Sequence, residues 1–300
     1  MKKLLAFTLS IIMLLSLSLP AYAAESISDP YSYTVTINEY DVYVATRTAS
    51  ASDLAKAGIS ARHADLIKSN AIENELLQLS ALSSDELKSL GYTKEQISLL
   101  HNYTGERIEN APELRGVFAD MTATFSKVSA STTALTVKVE WNWSNAPALA
   151  GNAIVDMVAM RWQGTNTAGA PINVAFNSAG SSCSVKYYSR SGVYQYSRSA
   201  SIVCNSPYDH AYAEIPMSTG DGDGTWQYYA KSGTLKVKVE RTGTNIIQEA
   251  AFVFGYGHTT IVISPSLSLP ASFGIGFSFG TETMVEKAIR MNSSGVITEY

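Results

Sequence analysis

The chain has 300 residues, 46% hydrophobic and 16% charged, with 22 basic against 26 acidic side chains and a formal net charge of −4. That mildly acidic balance argues against a nucleic-acid partner, which needs Lys and Arg clustered on one face. The length supplies one large domain or two smaller ones with a sizeable core, so stability does not depend on disulfide density.

Lys2 and Lys3 precede an apolar run from Leu4 to Leu19, followed by Pro20 and the small-x-small end Ala21-Tyr22-Ala23. This charged, apolar, cleavable order is that of a secretory signal peptide, with cleavage expected after Ala23. A retained anchor would need ~20 apolar residues without the proline and the cleavage site. A lipid anchor would need a cysteine, and the first is Cys183. Residues 1–23 are therefore expected to be removed from a secreted chain, and loss of Lys2 and Lys3 moves its formal charge from −4 to −6.

In residues 24–49, Tyr31, Tyr33, Val35 and Ile37 alternate with Ser32, Thr34, Thr36 and Asn38, which predicts a half-buried strand able to join a later sheet. Residues 50–116 carry 17 charged residues in 67, against 24 in 184 for residues 117–300. The charged part reads helical and contains a repeat. Leu54, Gly58, Ser60, Ala64 and Ile67 align with Leu87, Gly91, Thr93, Ile97 and Leu100. Each unit reads as helix, glycine stop, hydroxyl cap, helix; Gly91 closes one helix, and Thr93 with Gln96 forms a capping box that opens the next. With an amphipathic stretch over residues 72–82, the sum predicts a small bundle of short helices. The Leu90-Gly91-Tyr92-Thr93-Lys94-Glu95-Gln96-Ile97 turn resembles segments of secreted bacterial proteins with no assigned function. That resemblance covers residues 50–105 and implies neither an activity nor a functional residue.

From Val117 onward alternation dominates. Val117, Ala119, Met121, Ala123 and Phe125 oppose Asp120, Thr122, Thr124 and Ser126, and after a turn at Ser129 to Thr132, Leu135, Val137, Val139, Trp141 and Trp143 oppose Thr136, Lys138, Glu140 and Asn142. These predict an amphipathic hairpin. Further strands are expected over 153–162, 172–177, 183–189, 193–203, 210–217, 225–230, 234–241, 249–263 and 272–279, with a short helix from Glu282 to Met291. The predicted class is mainly β with a small N-terminal helical part (α+β): an antiparallel β-sandwich over 117–300, preceded by the helices.

Cys183 and Cys204, an even pair in an exported chain, predict a disulfide. Closing a loop of about 22 residues would contribute on the order of 3 kcal/mol. In a single hairpin the two would centre the turn between Val193 and Tyr194, whereas the turn signal is Ser191-Gly192; a bulge, a longer loop or different partner strands would reconcile them. Gly276-Phe277-Ser278-Phe279-Gly280 matches a hydrolase nucleophile elbow, but neither histidine nor aspartate follows Ser278. His63, His101, His210 and His258 lack zinc-helix spacing. Asp209-His210 is the place to look for a dispersed hydrolase site, although adjacent strand residues point to opposite faces. The turn Thr219 to Gly224 offers Asp221 and Asp223 to calcium but fails the EF-hand frame. Trp141 and Trp143 share their face with aliphatic residues and read as core rather than a sugar platform.

Tyrosine is the surplus that points to recognition. Tyr187, Tyr188, Tyr194, Tyr196 and Tyr228 concentrate in the β region among Ser and Arg, and tyrosine supplies rigid area with a hydroxyl. Residues 266–280 pair one wholly apolar face with a small, uncharged one, as an inserting barrel hairpin or a sandwich strand would. The favoured function is therefore non-catalytic binding of an extracellular ligand or surface, with no cofactor and no metal. A membrane-active, pore-forming protein inserting residues 266–280 is the alternative, and a hydrolase is third.

Overall fold

The computed structural model describes residues 29–56, 65, 68–147, 155–220, 226–259 and 281–299. The signal segment, the first helical repeat from Gly58 to Ala64, Asp221, Asp223 and residues 266–280 with Ser278 lie outside them.

Strand β1 (Ser32–Asn38) leads into helix α1 (Glu39–Thr48), followed by α2 (Ala51–Lys56), α3 (Ala71–Ser80), α4 (Ser84–Ser89) and α5 (Lys94–Asn102). Two 3-10 turns, Ile108–Asn110 and Pro112–Gly116, connect to β2 (Asp120–Ala130) and β3 (Ala134–Trp143). Then come β4 (Val155–Thr165), β5 (Pro171–Ile172), β6 (Val174–Phe176), β7 (Ser182–Ser189), β8 (Tyr194–Ala200), β9 (Val203–Ser206) and β10 (His210–Pro216). The chain ends through β11 (Ser218–Gly220), β12 (Trp226–Arg241), β13 (Glu249–Thr259), β14 (Thr281–Asn292) and β15 (Ile297–Glu299).

The protein is mainly β. Among the described residues there are two antiparallel sheets. The larger runs β1-β2-β3-β12-β7-β8, with β6 and β11 also on β12; the smaller runs β15-β14-β13-β4-β10-β9, with β5 on β4. Their inner faces share one apolar core. Phe125 of β2 meets Phe254 of β13 edge to face at 6.1 Å, and Trp143 of β3 meets Tyr256 at 5.7 Å. Alternation decides which face is inside, because successive strand residues point to opposite sides. Met121, Ala123 and Phe125 are buried on β2, while Thr122 and Thr124 face outward against Thr36 and Thr34 with hydroxyl–hydroxyl bonds of 3.1 and 3.0 Å. Each fully buried large aliphatic or aromatic side chain stabilises by roughly 1.5–3 kcal/mol.

The expected strand over 31–38 is β1, paired with β2 from Ser32↔Ser126 to Asn38↔Asp120. The helix after it was not legible, since Val42, Val44, Thr46 and Thr48 read as β formers. Asn38 caps it by accepting from Tyr40 N at 2.9 Å. Glu39 and Asp41 stand in its first turn and Arg47 in its last, matching the helix dipole. Arg47 is buried against Glu73 of α3 and also donates to the Ser69 carbonyl at 3.1 Å. The helices gather on a second apolar cluster that includes Tyr43, Leu76, Leu87, Leu100, Ile108 and Leu114. The expected capping box of Thr93 with Gln96 is formed, and Ser83 with Glu86 forms a second one.

Two further expectations are corrected. The segment Glu282 to Met291 is not a helix but part of β14, paired with β13 from Glu249↔Asn292 through Phe252↔Ile289. Ile289 and Met291 are buried while Arg290 is exposed, so period-2 burial against a waiting strand overrides local helix preference. The separate candidates 225–230 and 234–241 are one long strand, β12, bent by a register shift between Ala230 and Ser232.

Candidate functional site

The tyrosines are brought together by three strands at one margin of the larger sheet. In the β7–β8 hairpin Tyr187 faces Tyr196 and Tyr188 faces Tyr194, with a register shift between the two pairs. Across the other side of β7, Tyr228 of β12 faces Ser189 and Tyr229 faces Tyr188. The rings touch: Tyr187 and Tyr196 stack at 4.9 Å, Tyr188 and Tyr194 meet edge to face at 5.6 Å, and Tyr196 meets Tyr228 at 6.1 Å. Tyr194 and Tyr196 are 51% and 36% exposed, and Tyr188 and Tyr228 are half-buried. Tyr187 is different. It is fully buried, its hydroxyl donates to the Pro216 carbonyl at 2.8 Å, and burial foremost, with Tyr196 beside it, pushes its phenol up to about 12. Tyr187 is thus the floor on which Tyr196 rests.

The same margin is cationic. No acidic residue occurs between Asp156 and Asp209 in sequence, and of the cations in that stretch Lys186 and Arg198 lie on the hairpin, whereas Arg161 is on β4 paired with Asp209 and Arg190 faces Glu75. Lys186 and Arg198 are exposed, and the Lys231 ammonium sits 5.5 Å from the Tyr188 ring centre. The tyrosine count alone did not reveal these cations; the long acid-free stretch was the signal to read.

Asp209 and His210 do pair. Asp209 precedes β10 in a turn, so strand geometry does not separate the two side chains: Asp209 Oδ2 lies 2.8 Å from His210 Nδ1. Its other oxygen accepts from Arg161 Nη2 at 2.6 Å and Nε at 3.2 Å. Burial pushes the Asp209 carboxyl up, but the bonds and charges of Arg161 and His210 outweigh it and hold the group below the usual carboxylate range. Among the described residues no serine hydroxyl bonds to His210, and no three His, Cys, Asp or Glu gather to hold a metal. The arrangement ties the start of β10 to β4. His101 instead contacts the Leu82 carbonyl at 2.9 Å, and His63 and the His258 side chain lie outside the description.

The expected disulfide is not formed here: Cys183 and Cys204 are free thiols. Cys183 faces Ala200 inside the larger sheet, but the chain then crosses to the smaller sheet, where Cys204 lies on β9 with Sγ donating to the His210 carbonyl at 3.3 Å. The misfit of the hairpin centre is the trace of that crossing. Trp141 and Trp143 are buried, as core residues should be. A buried polar network was missed: the Tyr256 hydroxyl donates to Asp156 Oδ2 at 2.6 Å and accepts from Trp143 Nε1 at 3.3 Å. Burial, then the Asp156 charge, hold that phenol well above its ordinary value.

No protein-family model matches the sequence, and no curated protein matches it. Among solved structures, the chain is similar to the protein described as catalysing macrocyclization in alchivemycin A biosynthesis, at 12% identity over 57% of this chain and 88% of that one, with a TM-score of 0.27. It is also similar to the collagen-binding domain of a Staphylococcus aureus adhesin, at 8% identity over 54% and 89%, TM-score 0.24. A structure of the S. aureus collagen adhesin matches at 8% identity over 58% and 66%, TM-score 0.22. Likenesses at this level carry no argument about the fold or the function of this chain.

Proposed function

We propose that the chain is an exported, non-catalytic binding protein, a β-sandwich that recognises an extracellular ligand or surface through the tyrosine-rich margin of β7, β8 and β12. The observation that carries this reading is the pair of exposed rings on β8, Tyr194 held against Tyr188 and Tyr196 held against Tyr187 and Tyr228, each on a ring of a neighbouring strand. Rigid aromatic area with hydroxyls contributes to binding at low entropy cost. The signal-like segment of residues 1–23 supports an extracellular address. Among the described residues no helix is long and apolar enough to cross a membrane.

The test is an array of extracellular glycans and extended peptides, probed with the purified protein and with a Tyr194→Ser, Tyr196→Ser double variant. The variant is expected to lose about tenfold or more in affinity, with its denaturation midpoint little changed. Equal binding by both proteins would refute the tyrosine margin as the recognition surface.

A further inference from the structure

The strand that carries these tyrosines ends its sheet, and its edge is unlike the others. β8 is seven residues long and exposed continuously from Tyr194 to Ser199. It pairs with β7 on one side and with no strand on the other among the described residues. An edge of that kind presents backbone N–H and C=O groups to any extended chain, and proteins usually blunt it with Lys, Pro or shortness. Among the described residues, the other ends of the two strand orders are short or covered. β9 has four residues, and β15 has three. β1 is covered at its start, where the Pro30 carbonyl accepts from Ile297 N at 2.8 Å, and it packs beside β14 and β15. β8, by contrast, is seven residues long and contains neither Lys nor Pro, although it carries Arg198 and a register shift opposite Tyr187 and Tyr188.

Charge selects the occupant. Lys186 and Arg198 have no ion-pair partner among the described residues, Lys231 lies over the Tyr188 ring, and no acid occurs between Asp156 and Asp209. A second copy of this chain would bring to that edge a further Arg198, the one charged residue of β8, and no acid to offset it. Arg198 lies opposite Val185 and Lys186 opposite Ser197, so the two cations stand on opposite faces of the hairpin, and a strand with carboxylates on both faces would meet both.

We infer that β8 is a docking edge for an extended acidic polypeptide of a partner protein, which adds to the larger sheet as a further antiparallel or parallel strand. Main-chain hydrogen bonds supply the attachment, and Lys186, Arg198 and the tyrosines select the sequence. This rests on the reading of the tyrosine margin as the recognition surface and names its partner class.

The experiment measures binding of a capped peptide of roughly eight residues that repeats Glu-Glu-Val-Val, so that both of its faces carry carboxylates. Three comparison probes are its lysine-for-glutamate counterpart, the same peptide N-methylated at alternate amides, and a sulfated oligosaccharide. The acidic peptide should bind and slow amide exchange over Tyr194 to Ala200 by about tenfold or more, and the lysine and N-methylated peptides should not. Arg198→Glu and Lys186→Glu should each weaken it by about tenfold, with circular dichroism unchanged. The inference is overturned if the acidic peptide fails to bind at about 1 mM, if the N-methylated peptide binds equally, or if only the sulfated oligosaccharide binds. The two readings fail separately. Peptide binding that persists in the Tyr194→Ser, Tyr196→Ser variant removes the tyrosines and keeps the edge. A tyrosine-dependent ligand that leaves β8 exchange untouched does the reverse.

Discussion

Gly233 of β12 lies directly across the ladder from Trp141 of β3, and a Cβ built on it would stand 2.1 Å from Trp141 Cζ2 and 2.6 Å from the Ser184 carbonyl oxygen. The glycine is the gap into which the indole packs. Gly233→Ala must displace either a fully buried ring or the backbone of β7, so it should destabilise by roughly 2–3 kcal/mol. Equilibrium denaturation measures this, and a loss under about 0.5 kcal/mol would show that Trp141 has room to move.

A second glycine marks where the helices meet the sheet. Gly91, at φ +89°, closes α4, and a Cβ there would stand 2.3 Å from the Arg190 carbonyl oxygen at the tip of the β7–β8 hairpin. Gly91→Ala adds left-handed strain to a backbone collision and should cost roughly 2 kcal/mol or more. If helices and hairpin separate instead, proteolysis near Gly91 will accelerate while the sheet's tryptophan fluorescence holds.

Tyr256→Phe removes the hydroxyl that donates to the fully buried Asp156 and accepts from Trp143. Leaving those groups with a lost partner should cost about 2 kcal/mol in denaturant unfolding. A neutral result would mean that the other partners of Asp156 carry its charge alone.

The depressed Asp209 carboxyl gives stability a sign with pH. Its folded pKa lies below the ordinary value of ~3.9, so its contribution is present above about pH 4 and is lost as pH falls through the folded pKa. With the side chain 41% exposed, the effect is small, roughly 0.5 kcal/mol after screening. Asp209→Asn should flatten that part of the acid-unfolding curve, and an unchanged slope would count against the Arg161 and His210 pairing.

Burial pushes the Cys183 thiol up to about 12, while Cys204 is half-buried and shifted in the same direction. Since the thiolate is the nucleophile, an alkylating reagent near neutral pH should label Cys204 slowly and Cys183 only on unfolding. Two thiols should titrate in denaturant without reductant. None titrating would establish the disulfide expected from sequence.

Periodicity determined what needed only one element at a time. Alternation in 31–38, 117–126 and 135–143 locates β1, β2 and β3 and buries Trp141 and Trp143, and Thr93 with Gln96 opens α5, because side-chain direction and capping are local; β2 itself runs Asp120–Ala130, through the start of the turn expected at Ser129. The tertiary structure decided whatever depended on a partner distant in sequence. β14 is a strand because β13 offers it a ladder, and α1 is a helix because Asn38 caps it and Tyr40 and Tyr43 find a core. The thiols parted because the chain changes sheets after Ala200. The candidate site divides in the same way. Sequence supplied the tyrosines, but only strand order could place β8 at an open edge, bury Tyr187 beneath Tyr196, and set Lys186, Arg198 and Lys231 beside them.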